Sequence, residues 1–202
     1  MKVLGIHSSP FPQGSTATLL DLALQEAALT PGVTTEVVSL AGLKIADCRQ
    51  CDWCMAHQTP DRLCAVLDDA TLILSQILAC DVLVLATPVY FARMSGAMAC
   101  LIDRTRCFLF GKAGRMALRG KVGVALAVGW HRNYGIEPAL LSLHNAFLIH
   151  EMRTVSSYAA GALYGVGVVS GLKDGDRRGI LADEAGLRAA RRLMKEALRS
   201  AG

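Results

Sequence analysis

Lys2-Val3-Leu4-Gly5-Ile6-His7-Ser8-Ser9-Pro10-Phe11-Pro12-Gln13-Gly14-Ser15-Thr16 is the stretch on which the fold turns. Lys2–His7 is short and apolar, as a strand buried on both faces must be. The residues after it form a hydroxyl-rich turn, and Gly14-Ser15-Thr16 opens a helical stretch reaching about Leu29. A helix start presents free N–H groups and the positive end of a dipole. Hydroxyls at Ser9, Ser15 and Thr16 add donors, and Gly14 lets the backbone come close, so the turn suits a phosphate. The same residues also suit a Ser/Thr-rich helix cap with no ligand. They match neither the Walker loop nor Gly-x-Gly-x-x-Gly, which argues against a nucleoside triphosphate or Rossmann dinucleotide site.

Outward from this turn, strand and helix signals alternate. Thr34–Leu40 reads as a second strand, Asp81–Thr87 as a third ended by Pro88, and Lys121–Val128 as a fourth. Arg153–Ser157 is a short final strand, and the glycine-rich stretch Tyr158–Gly179 reads as loop. Asp68 can cap a helix over Asp69–Leu78, and Ser95 one reaching about Cys107. A further helix starts near Pro138 and ends near His150, and the last carries Leu187, Ala190, Leu193, Met194, Ala197 and Leu198 on one face. Five strands alternating with helices imply one doubly wound α/β domain over 1–202. Its sheet is parallel, of order 2-1-3-4-5, with a ligand crevice at the carboxyl ends of strands one and three.

Composition narrows the function. The chain has 202 residues, 52% of them apolar, yet no uncharged apolar run is long enough to span a bilayer. The sequence enters a strand at once, which leads us to expect a cytoplasmic protein without a signal peptide. A net charge of +4 fits small anionic ligands and does not argue for nucleic acid; Arg177-Arg178 and Arg191-Arg192 read as solvated surface. Seven cysteines in a reducing compartment point to metal or redox chemistry over disulfides.

Two further loops fall at the same sheet edge. Thr87-Pro88-Val89-Tyr90-Phe91-Ala92-Arg93-Met94-Ser95 brings backbone N–H groups and two aromatic rings, which suits a flat ring system with polar edges. Gly129-Trp130-His131-Arg132-Asn133-Tyr134-Gly135 adds donors and aromatics. Each also reads as an ordinary turn. No acid–base triad is evident, His131, His144 and His150 read as ordinary surface or core histidines, and no catalytic residue is assigned.

Cys48-x2-Cys51-x2-Cys54, followed by Cys64, lies in a loop at about 47–67. Three thiolates at this spacing can wrap one side of a cubane, with Cys64 returning as fourth ligand. Structural zinc and free thiols are the competing readings. Cys80, Cys100 and Cys107 read as small core residues.

Taken together, the sequence resembles the NAD(P)H-dependent FMN reductases of flavodoxin-like, three-layer fold, nearest the branch that includes iron–sulfur flavoproteins. Ser8-Ser9-Pro10 with Gly14-Ser15-Thr16, the cysteine segment ending in Asp68-Asp69, and Thr87-Pro88-Val89-Tyr90-Phe91 carry the resemblance. Ser95, Asp103-Arg104-Thr105, Arg132-Asn133 and Leu141-Ser142-Leu143-His144-Asn145 extend it. The resemblance implies FMN, with its phosphate on the first loop (Ser8, Ser9, Pro10, Gly14, Ser15, Thr16). Its ring would lie against Pro88, Val89, Tyr90, Phe91, Ser95 and Gly129. NAD(P)H is implied as electron donor, with Arg132 steering its phosphates. A flavin, quinone or other small molecule would accept the electrons. Alternatively a [4Fe-4S] cluster on Cys48, Cys51, Cys54 and Cys64 would exchange them with ferredoxin. A homodimer or homotetramer is implied as well.

Overall fold

Strand β1 (Lys2–His7) pairs in parallel with β2 (Thr34–Ser39) on one side and β3 (Val82–Pro88) on the other in the computed structural model, which describes residues 1–171 and 179–202. Strand β4 (Val122–Gly129) follows β3, and β5 (Arg153–Thr154) and β6 (Val166–Val169) both pair with β4. The order is 2-1-3-4-5, the flavodoxin-like one expected from alternating strands and helices.

The fifth position is filled in two pieces. Arg153 and Thr154 pair with the start of β4, and β6 pairs with its end from Leu126 to Gly129. The glycine-rich stretch is therefore not all loop. Gly167 sits inside β6 because a Cβ there would lie 2.2 Å from Ile136 Cγ2. This glycine serves close packing, not chain reversal. The Arg177-Arg178 pair lies outside the described residues.

Side-chain alternation divides the interior in two. Val3, Val82, Val84, Val122 and Val124 face helices α1 (Ser15–Ala28) and, from the C-terminal end of the chain, α7 (Glu184–Ala201). Leu4, Ile6, Leu83, Leu85 and Ala125 face the other layer. That layer holds the short α2 (Trp53–His57), α3 (Ala70–Ala79), α4 (Gly96–Arg104), α5 (Arg106–Phe110) and α6 (Ile136–Ile149). Among the described residues no helix is long and apolar enough to cross a membrane.

Candidate functional site

The carboxyl ends of β1, β3 and β4 are neighbours, so the three loops after them line one edge of the sheet. After β1, Ser8 and Ser9 are buried and Pro10 is exposed. The Phe11 N–H donates to Ser9 Oγ at 3.1 Å, and the Gly14 N–H to Phe11 O at 3.1 Å, which folds the turn back onto the start of α1. A Cβ on Gly14 would lie 3.1 Å from that of Phe11. Among the described residues no side-chain hydrogen bond caps α1 at its N-cap, Gly14. Thr16 is buried, and Ser15 is half-buried.

Ser8 turns inward. Its Oγ accepts from Ser95 Oγ at 2.8 Å and donates to Thr87 Oγ1 at 3.3 Å, and Thr87 Oγ1 donates to Pro88 O at 2.9 Å. The Ser95 N–H donates to Thr87 Oγ1 at 2.9 Å, while Ser95 Oγ caps α4 by accepting from the Met98 N–H. This buried hydroxyl relay ties the first loop to the third. Ser8 and Ser95 thus hold the crevice through their side chains from behind.

The third loop closes through a two-residue reversal. Tyr90 and Arg93 exchange backbone hydrogen bonds at 3.0 and 3.1 Å, with Phe91 (φ 51°) and Ala92 (φ 58°) left-handed between them. Such turns favour glycine or asparagine, and each ordinary residue there costs about 1–2 kcal/mol. Strain of this kind persists only where the surroundings hold it. Pro88 and Val89 are half-buried, Tyr90 is exposed, and Phe91 is 98% exposed.

The fourth loop fits against the third. Gly135 has φ +90°, and a Cβ there would lie 2.3 Å from Ala92 Cα. Gly129 is buried against Ile136, whereas Trp130, Arg132 and Tyr134 are exposed. Arg132 leans on Asp183, Nη2 to Oδ2 at 3.4 Å, and that carboxylate also accepts from the Val169 and Gly186 N–H groups.

A second constellation lies in the cysteine segment. Cys48, Cys51, Cys54 and Cys64 all line one pocket. Arg49, Asp52, Arg104, Arg106 and Cys107 also line it. Arg104 is 1% exposed and fastens both ends of the segment: Nη1 donates to Ala46 O at 3.2 Å and Nη2 to Val66 O at 2.8 Å. Nη1 also meets Asp68 Oδ2 at 2.7 Å. Asp68 accepts from the Ala46 and Ala70 N–H groups as well and so anchors the loop, but the N-cap of α3 is Asp69, one residue later than expected, and its carboxylate accepts from the Lys44 N–H instead of capping the helix. Its burial opposes ionisation, but those N–H groups and Arg104 hold its pKa below the usual carboxylate value. Arg106 reaches Asp52 at 2.8 Å, where the backbone is left-handed.

Gln58, buried, braces the segment from beneath. Its Nε2 donates to Leu63 O and Cys107 O, each at 3.0 Å, and its Oε1 accepts from the Ala113 N–H at 3.0 Å. Burial pushes the Cys54 thiol up, and drives Cys107 up to about 12, helped by the nearby Cys64 and Cys54. Cys107 is therefore more than a core residue, since it forms part of the pocket wall. Among the described residues no three His, Cys, Asp or Glu side chains converge tightly enough to hold a single metal ion.

Sequence reading passed over Arg104 as a pocket residue. The signal was present: Met98, Leu101 and Arg104 share the buried side of α4, and a charge at a core position requires partners.

Sheet order and the two helical layers define a flavodoxin-like α/β protein. Residues 1–164 match the model of the NADPH-dependent FMN reductase family. An iron–sulfur flavoprotein of Methanocaldococcus jannaschii is 38% identical over 196 residues, 97% of this chain and 95% of that one. One from Methanosarcina thermophila is 32% identical over 155 residues, 77% of each chain. Among solved structures, RosB with bound 8-demethyl-8-formylriboflavin-5'-phosphate superposes with TM-score 0.76 at 17% identity, over 100% of this chain and 79% of that one. An NAD(P)H:quinone oxidoreductase from Methanothermobacter marburgensis gives TM-score 0.64 at 15% identity, over 97% and 96%. At these identities the two structures speak to the fold alone. The chain belongs to the NADPH-dependent FMN reductase family of FMN-dependent oxidoreductases, in the branch of the iron–sulfur flavoproteins.

Proposed function

We propose that the protein is an iron–sulfur flavoprotein that passes electrons between FMN in the crevice and a [4Fe-4S] cluster on Cys48, Cys51, Cys54 and Cys64, exchanging them with a ferredoxin-type partner. The observation that carries this reading is the pocket that gathers all four cysteines beside three arginines, Arg49, Arg104 and Arg106. Four thiolates are the donor set of a cubane, which spreads its ligands more widely than the tetrahedron around one zinc ion. With three arginines and Asp52 the wall is net cationic, which suits an anionic cluster.

In this reading the uncapped start of α1 takes the FMN phosphate through N–H groups and dipole, aided by Ser9, Ser15 and Thr16. Pro88, Val89, Tyr90 and Phe91 border the ring on one side, and Gly129 and its loop on the other. Bound FMN supplies the redox chemistry by joining two-electron and one-electron partners. The chain holds the loops rigid through Ser8, Thr87 and Ser95. Phe91 and Tyr134, 98% and 71% exposed, stand where a second copy in a homodimer or homotetramer would cover them.

A second reading, NAD(P)H as donor with a flavin, quinone or other small molecule as acceptor, is favoured by Arg132. It is exposed at the crevice rim and spends only a long contact on Asp183. Anaerobic purification followed by iron, sulfide and flavin analysis, then mixing with reduced ferredoxin or NADPH, separates the two. Bleaching by ferredoxin of a protein holding iron and sulfide supports the first reading. A yellow, iron-free protein bleached by NADPH supports the second.

A further inference from the structure

We infer that Arg104 tunes the cysteine centre: once Cys64 is a cluster ligand, the free Arg104 Nε–H donates to its sulfur and raises the reduction potential of the cluster held there. The inference rests on the iron–sulfur reading and adds to it a residue outside the cysteine motif. Three observations carry it. Arg104 is 1% exposed and lines the same pocket as the four cysteines. Its two terminal nitrogens are occupied by Asp68, Ala46 and Val66. Its Nε is buried and has no partner among the described residues, an omission that costs stability unless a ligand answers it.

The geometry has a clear electrostatic sense. Arginine stays charged through any cycle of the centre. Adding an electron makes a thiolate-ligated cluster more negative, so a fixed cation and an N–H···S contact favour the reduced form. Potentials of such clusters respond to net charge and to hydrogen bonds at sulfur. Asp68 partly neutralises the guanidinium but sits on Nη1, leaving the Nε edge for the pocket. The arrangement differs from a structural ion pair, which would saturate all its donors on protein oxygen.

The test is an EPR-monitored redox titration of the cluster in the intact, anaerobically purified protein. Arg104→Met alone leaves Asp68 unpaired. The variants are therefore Asp68→Asn, Asp68→Asn with Arg104→Met, and Arg104→Lys. In the double variant the equilibrium constant for reduction should fall at least tenfold relative to Asp68→Asn, about 59 mV for one electron. Arg104→Lys, which keeps the charge but not the Nε–H, should fall in between. Constants within twofold of the respective parents would overturn the inference. So would a double variant that takes up no cluster while Asp68→Asn and Arg104→Lys do, because that outcome marks a purely structural role. Absence of iron and sulfide from the wild type would overturn the iron–sulfur reading itself, and is seen before any substitution is made.

Discussion

The Ser95 hydroxyl donates to the Ser8 hydroxyl at 2.8 Å, across 87 residues of chain, and so fastens the loop after β1 to the loop after β3. Both groups are buried, and Thr87 completes the relay. Ser95→Ala removes this link and the cap on α4 together. The variant should lose about 1–2 kcal/mol of stability and bind FMN about tenfold more weakly, since tenfold is about 1.4 kcal/mol. Urea unfolding and flavin titration of the apoprotein measure the two effects. An unchanged FMN affinity would place the crevice elsewhere.

The left-handed pair Phe91-Ala92 should be a store of strain. Ala92→Gly is expected to raise the unfolding free energy by about 1 kcal/mol. Gly135→Ala should act oppositely, because its Cβ would meet Ala92 at 2.3 Å and its backbone is left-handed. We expect it to cost about 1–3 kcal/mol and to weaken FMN binding by pushing the two loops apart. Thermal unfolding with and without FMN checks the pair.

Acid should destabilise the fold through buried histidines. Burial drives His150 down to about 4 from 6.5. Its Nε2 meets Thr105 Oγ1 at 2.7 Å, and Thr105 already donates to Ile102 O, so Nε2 carries the hydrogen and Nδ1 has no partner among the described residues. The unfolded chain takes up a proton below 6.5 and the folded chain does not until about 4. Stability is thus complete above 6.5 and declines as pH falls between those values, by about 3 kcal/mol from His150. Burial also lowers His7, against Asp21, and His144, in the same direction. His150→Leu should flatten the fall seen in urea midpoints between neutral pH and about pH 4.5; an equal fall in the variant would contradict the assignment.

Gln58→Leu strips three hydrogen bonds from the backbone beneath the cysteine segment. We expect a loss of about 1–3 kcal/mol and faster release of iron to a chelator, followed by absorbance. Unchanged release would mean that Arg104 and Asp68 alone hold the pocket.

Much of the fold was legible because buried parallel strands announce themselves by short apolar runs. Lys2–His7 is matched residue for residue, and β2, β3 and β4 to within one at either end. β6 was hidden because Gly165 and Gly167 resemble loop residues, while their role is to admit Ala125 and Ile136. The candidate site was legible as loops but not as side-chain directions. No local pattern says that Ser8 turns inward to Ser95, or that Arg104 reaches back to Asp68 and both ends of the cysteine segment. Those contacts span 36 to 87 residues and exist only after the sheet has assembled. Cys107 is the core residue expected, but its place in the pocket wall was not legible, since a buried thiol in an apolar helix looks the same whether or not it borders a pocket.

Stoichiometry in anaerobically purified protein tests the account most directly. FMN, iron and acid-labile sulfide should be present together, with iron and sulfide in equal amounts, and serine at Cys64 should abolish the metal while sparing the flavin. A colourless protein that takes up neither FMN nor iron on reconstitution would contradict the account.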